Sequence, residues 1–430
     1  MYKKLLILFL FFACTNLAQA QWTTDEVSLA RSGMGTTATT NGKVVFAGGY
    51  PENAIEDKDL YRKRVDIYDI ASDTWTIEEL EVARQFTFAV SVGTKVYFAG
   101  YTQTQADDQD KVEVYDTETE TWTTLTTPNS DGPTSVAVEM GSIYFVDGGI
   151  VDIYDTTTET WSMGQLSVSR ILSRAVGCNG KVFFAGGGFS AGTIYALVDI
   201  YDIATDTWST ADLSEGRNLI QTACLNEKAY FVGGSLGFSG NSSNIDVYDT
   251  NTDTWSVLSI NGDKQGYAVG ASDNNLYIAA GYDNEENEYI TEVEIFDGET
   301  DEKTTTDLSE ARAFLSAVGV GNQLYVGGGN TGSNEHFTLV DIYTEEILNT
   351  AEVSATSFTI FPNPTTDRLV VKSLAAENFK SFDYRIYNAV GMLVKSGQTI
   401  QEIEVADFER GIYFLEVVGE VSERLKFIKN

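Results

Sequence analysis

The chain has 430 residues, 43% of them apolar and 12% aromatic against 21% charged, so it holds ample material for a core, and disorder is excluded as the dominant state. Its 63 acidic and 28 basic residues leave a net charge of −35, the wrong sign for a surface held to a duplex by counterion release, which excludes nucleic acid as a partner. One histidine and three cysteines leave little for metal or nucleophile chemistry, and no cofactor is expected from composition.

At the N-terminus, Lys3 and Lys4 precede an apolar run from Leu5 to Ala13, and Ala18-Gln19-Ala20 places small residues where a signal peptidase reads. Residues 1–20 therefore read as a secretory signal peptide removed before Gln21. The run is too short for an anchor helix, and no later segment approaches the ~20 apolar residues a span needs, so the mature chain is expected to lack a transmembrane segment. A lipoprotein cleavage ahead of Cys14 is disfavoured by the bulk of Phe11.

The middle of the chain repeats. Val65-Asp66-Ile67-Tyr68-Asp69 recurs with its aromatic residue at Tyr115, Tyr154, Tyr201, Tyr248, Phe296 and Tyr343, at spacings of 47, 39, 47, 47, 48 and 47. An apolar strand running into glycines precedes it, as in Val44-Val45-Phe46-Ala47-Gly48-Gly49, and a Trp follows seven residues later at Trp75, Trp122, Trp161, Trp208 and Trp255. Seven units of this length predict a closed array of four-stranded blades, with Tyr and Trp as plates filling the wedge between neighbours. The Gly pair, Tyr and Trp, with an Arg before the first strand, resemble the Kelch repeat, which implies a seven-bladed Kelch-type β-propeller over residues 21–350. In the sixth unit Lys303 stands where Trp is expected, and Trp22 stands ahead of the first unit. The strand beginning at Trp22 is thus expected to complete the last blade, removing the exposed sheet edge.

Residues 351–357 read as a linker, because composition changes there: residues 21–355 hold 17 bases and 53 acids, residues 356–430 hold 9 and 10. Short alternating strands at 368–371, 384–387, 412–417 and 425–428 predict a small Ig-like β-sandwich over 358–430, making the whole chain all-β. The residues Pro362-Asn363-Pro364, the run ending at Gly391, Gly411 with Tyr413, and the terminal Lys426 to Lys429 resemble the C-terminal sorting domain of type IX secretion cargo. That resemblance implies the type IX secretion machinery as a partner, and a protein secreted or held at the outer surface of a Gram-negative bacterium.

Candidate site residues are few. Arg31, Arg84, Arg170, Arg217 and Arg312, with Lys264 in a sixth unit, recur just before the first strand, on the face that also carries the variable loops between second and third strands. Two readings are open: a cationic ring for carboxylates or sulfates of a ligand, or hydrogen bonds to carbonyls of the neighbouring blade. The acids at Asp66, Glu113, Asp152, Asp199, Asp246, Glu294 and Asp341 recur in every unit and read as parts of the repeat. His336 reads as a solvated loop residue. Cys178 and Cys224, counted from Lys181 and Lys228, fall on opposite strand faces; a disulfide in an oxidising compartment is the alternative, and buried free thiols are the expected state. Acidic loops at 52–59, 106–110 and 283–288 offer oxygen ligands for Ca²⁺ without EF-hand spacing, and read as solvated charge. No catalytic constellation stands out. The expected function is a secreted or surface-attached module binding protein or glycan ligands through one loop-rich face. The alternatives are a glycan-active hydrolase or lyase using carboxylates in the funnel, and a structural role in a surface layer.

Overall fold

The computed structural model describes residues 21–102, 108–130, 132–189, 192–332, 335–345, 358–373, 382–388, 393–399, 402–408, 410–418 and 423–430. The expected signal peptide over 1–20, the expected linker 351–357 and Gly391 lie outside the described residues. The chain divides into two compact units, 1–346 and 347–430.

Seven antiparallel sheets make up the first unit among the described residues: blades 1 to 6 over 35–79, 86–126, 135–165, 174–212, 221–259 and 264–307, and blade 7 from 316–344 with the N-terminal strand Gln21–Glu26 added at its outer edge. The first strands of successive blades contact one another around a closed ring, with blade 7 meeting blade 1, so this layer lines the axis. Second and third strands are covered on both faces by neighbouring blades, which is why Val44, Val45, Phe46 and Ala47 are all buried in one continuous apolar run. Outer strands are largely exposed, each half-burying its Trp and the residue three further on, as Trp75 and Glu78 in blade 1.

The aromatic plates meet as the repeat requires. Tyr68 lies 5.1 Å from Trp75, Tyr115 4.8 Å from Trp122, and Tyr154 4.9 Å from Trp161 between ring centroids. Two of these indole N–H groups reach the preceding blade: Trp75 donates to Asp25 at 2.8 Å and Trp122 to Glu78 at 3.2 Å. In blade 6 the pair is Lys303 over the ring of Phe296 at 5.5 Å, a cation–π contact in place of two stacked plates.

Closure follows the N-terminal strand. Trp22 is directly opposite Tyr343 in an antiparallel register running from Gln21↔Thr344 to Glu26↔Leu339. Its ring lies 4.9 Å from that of Tyr343, and its indole donates to Thr306 of blade 6 at 3.0 Å.

One expectation is overturned. Cys178 and Cys224 form a disulfide, with Cα atoms 5.4 Å apart. The register confirms that they face opposite sides of their own sheets, since Cys178 is opposite Lys181 whereas Cys224 is opposite Ala229. Adjacent blades stack face to back, however, so opposite faces of consecutive blades are the ones that meet. The bond clamps blade 4 to blade 5 at their inner strands.

The second unit has two sheets. Phe358–Phe361, Arg368–Ser373 and Glu402–Glu404 form one, and Leu393–Thr399, Phe382–Asn388, Gly411–Val418 and Glu423–Lys429 form the other. Leu369, Val371 and Ile403 from the first pack with Ile386, Leu415, Val417 and Phe427 from the second, forming the core of a small sandwich.

Trp22→Ala is expected to lower stability by ~3 kcal/mol, the low end for losing a large aromatic because the ring is only part-buried; urea unfolding followed by tryptophan fluorescence measures it, and an unchanged midpoint counts against closure by this strand. Replacing both Cys178 and Cys224 by Ala is expected to cost about 2–4 kcal/mol through the 46-residue separation the disulfide closes. The double variant's stability should then no longer respond to a reducing agent.

Candidate functional site

The recurrent basic residues are buried, and they are joined to the recurrent acids. Arg31, Arg84, Arg170, Arg217 and Arg312 have no exposed surface, and Lys264 has 2%. Arg170 donates to Asp199 at 2.7 Å, to the carbonyls of Phe184 and Gly186 at 2.7 Å each, and to Val168 at 3.0 Å. Arg312 repeats the set with Asp341 at 2.6 Å and Gly328 at 2.7 Å, and Arg31 and Arg217 pair with Asp66 and Asp246. Arg84 reaches Glu113 at 3.4 Å and the carbonyls of Gly100 and Lys111 at 2.8 and 2.7 Å. Lys264 lies 2.8 Å from Glu294 and 2.7 Å from Glu292. In blade 3 the acid is held instead by Asn129, whose side chain donates to Asp152 at 2.8 Å.

Each acid also accepts an amide from the incoming link, as Asp199 does from Ser167 at 2.9 Å. The pair therefore clips the link to the blade it enters. The carbonyls belong to that blade, which corrects the expectation of bonds to a neighbour, and the guanidinium groups are spent before a ligand arrives. Burial pulls Arg31 down to about 10 even though Asp66 opposes the shift, and burial lifts Glu113 against the opposing pull of Arg84.

Two positions beyond five of the six basic residues, the chain turns back at the mouth of the axial channel. Gly33 and Gly266 take left-handed backbone there, with φ of 59° and 66°, and so do Leu172, Leu219 and Phe314, with φ of 58°, 54° and 56°. Hydrogen bonds link these turns around the mouth: the Gly33 amide donates to the Phe314 carbonyl at 2.8 Å, and Leu219 to Leu172 at 3.3 Å. Left-handed backbone suits glycine and costs bulky residues ~1–3 kcal/mol each. The bulky side chains here are also exposed, Leu219 by 48% and Phe314 by 50%, and Phe86 at the same place in blade 2 by 56%. They form an apolar collar at the opening.

Below the collar lies a channel cavity of about 340 Å³. Its lining mixes apolar residues, among them Met34, Phe88, Val90 and Leu315, with the hydroxylic Thr36, Thr87, Ser135, Thr222 and Ser316 and with Gln221, and it carries one charged side chain, Arg174. Arg174 opens the inner strand of blade 4, donates to the carbonyl of Thr134 at 3.3 Å, and lies 5.7 Å from the ring centre of Phe88 in blade 2. It thus extends past blade 3 along the channel wall. Among the described residues no carboxylate is paired with it, and burial alone lowers its pKa. Sequence reasoning passed over Arg174 because it searched for charge that recurs. The available signal is the reverse: at that place the other six units have Gly35, Phe88, Ser135, Gln221, Ala268 and Ser316.

The loop expected to hold a solvated His336 places it differently. His336 is part-buried beside a cavity shared with Glu26, Glu310 and Glu335, its Nδ1 is buried without a partner, and burial lowers its pKa. Among the described residues no group of three or more His, Cys, Asp or Glu side chains is placed to hold a metal ion. In the acidic loop at 283–288, Asp283 instead accepts the amides of Glu285 and Glu286 at 2.8 and 3.1 Å.

In the C-terminal unit, Asn363 between Pro362 and Pro364 staples its turn to the last strand. Its side chain donates to the carbonyl of Lys426 at 3.0 Å and accepts the amide of Ile428 at 2.9 Å. Gly411 starts the strand that carries Tyr413, whose buried ring stacks 5.5 Å from Phe427, and Lys429 is buried at the end of the terminal strand. These motif residues hold the terminal strand in place, while Lys426 remains exposed.

The fold defines a β-propeller built from Kelch-like repeats with an appended β-sandwich. Comparison with family models agrees with both parts: residues 217–261 match the Kelch motif, and residues 359–430 match the secretion system C-terminal sorting domain. The chain thus carries a Kelch motif within its propeller and a type IX sorting domain, which implies that secretion machinery and a secreted or cell-surface location. No curated protein matches it.

Arg170→Ala is expected to cost ~3–5 kcal/mol in urea unfolding, because it leaves Asp199 buried and unpaired. A residue serving only a ligand would leave the midpoint in place.

Proposed function

We propose that the propeller is an extracellular binding module that takes protein or glycan ligands on the loop face, centred on the mouth of the axial channel. The observation that carries this reading is the collar: Leu172, Leu219 and Phe314 are exposed apolar side chains held on left-handed backbone where two other blades use glycine. Strain of this kind persists where the surrounding fold enforces it, and it clusters at binding sites. Exposed apolar side chains around the mouth of a cavity that carries hydroxyls, an amide and a guanidinium suit a recognition surface. Support for binding over carboxylate-based hydrolysis comes from the described channel wall, which presents hydroxyls, an amide and a guanidinium.

The test is binding to peptide and glycan arrays by the parent and by a variant whose loops between second and third strands are cut to minimal turns, together with Leu219→Gly and Phe314→Gly. Binding is expected in the parent and a loss of at least tenfold in the variants. Binding that survives both changes overturns the reading.

A further inference from the structure

We propose that the axial mouth receives the carboxyl-terminal end of an apolar peptide, its side chains seated on the collar and its terminal carboxylate on Arg174. The inference rests on the loop-face reading above and names its ligand.

Three observations lead to it. First, Arg174 differs from every other basic residue that precedes or opens an inner strand: those are paired with a buried acid, whereas its bonded partner is a backbone carbonyl. A guanidinium presents five donors in a planar fork that matches a carboxylate, and one carbonyl at 3.3 Å leaves most of that fork for a ligand. Second, the charge sits inside a cavity below an apolar rim, so a ligand that satisfies both must carry its carboxylate at a tip and its apolar groups behind it. The last residues of a peptide have that arrangement.

Third, the overall charge selects against the other carboxylate source. A uronate-bearing glycan repeats its charge along the chain and would meet the field of a protein with a net charge of −35. A peptide end brings a single carboxylate, which one unneutralised arginine can match. The collar residues Phe86, Leu172, Leu219 and Phe314 offer apolar surface and no side-chain hydrogen bonds for sugar hydroxyls.

The experiment measures fluorescence anisotropy of a dye-labelled hexapeptide ending in leucyl-phenylalanine, as the free acid and as the C-terminal amide, against the full secreted chain. The free acid is expected to bind at least tenfold more tightly than the amide. Arg174→Gln should abolish that preference, and Arg174→Lys should keep part of it. Leu219→Gly with Phe314→Gly should weaken acid and amide by the same factor while unfolding within a few degrees of the parent. Equal binding of acid and amide by the parent, or a preference that persists in Arg174→Gln, overturns the proposal. Tighter, Arg174-dependent binding of an oligouronate moves the site to glycans and also overturns it. Failure of both peptides to bind defeats this inference alone, since the loop-face reading is decided by loop truncation on the arrays.

Discussion

A propeller has no edge to spare: every blade is covered by two others only if the circle shuts. Here the last blade is assembled from both ends of the unit, with Trp22 lying opposite Tyr343 and donating to Thr306 in the blade before. The covered faces of all seven blades depend on that join, because an open ring would expose two apolar faces at once. The remaining regularities, stacked plates and clipped links, repeat a local solution that closure makes consistent.

Within that frame the buried ion pairs have a topological task. A link leaving the outer edge of one blade must return to the axis, and its backbone groups need partners on the way. The recurrent Arg and acid supply them, the Arg binding carbonyls of the new blade and the acid binding amides of the link. Such pairs are costly to break singly and contribute less when whole, so their recurrence speaks for register more than for raw stability. Blade 6 shows the tolerance of the scheme: Lys264 and Lys303 both converge on Glu294, one replacing the guanidinium and the other the indole.

The collar and Arg174 sit where this machinery ends. Their residues follow the clips by two and four positions, so the rigid part of each repeat delivers its variable part to one circle. Strain at Leu172, Leu219 and Phe314 is sustained because bonds between neighbouring links hold the turns in place. The mouth is thus pre-organised for a ligand, which reduces the ordering cost of binding.

Much of this was legible in the order of the residues. Periodicity gave the blade number, the missing indole of the sixth unit and the early Trp22 gave the closure, and the turn around Asn363 marked the sorting domain, because each is a matter of spacing along one chain. The Cys178–Cys224 bond, the burial of the basic ring and the isolation of Arg174 were decided in space. Strand parity tells which side of its own sheet a residue faces, but only the face-to-back stacking of blades says which sides meet. Likewise the repeat reveals that a charge recurs, whereas its partner lies some thirty residues away, as Asp199 does from Arg170, and is found only when the blade folds onto its link.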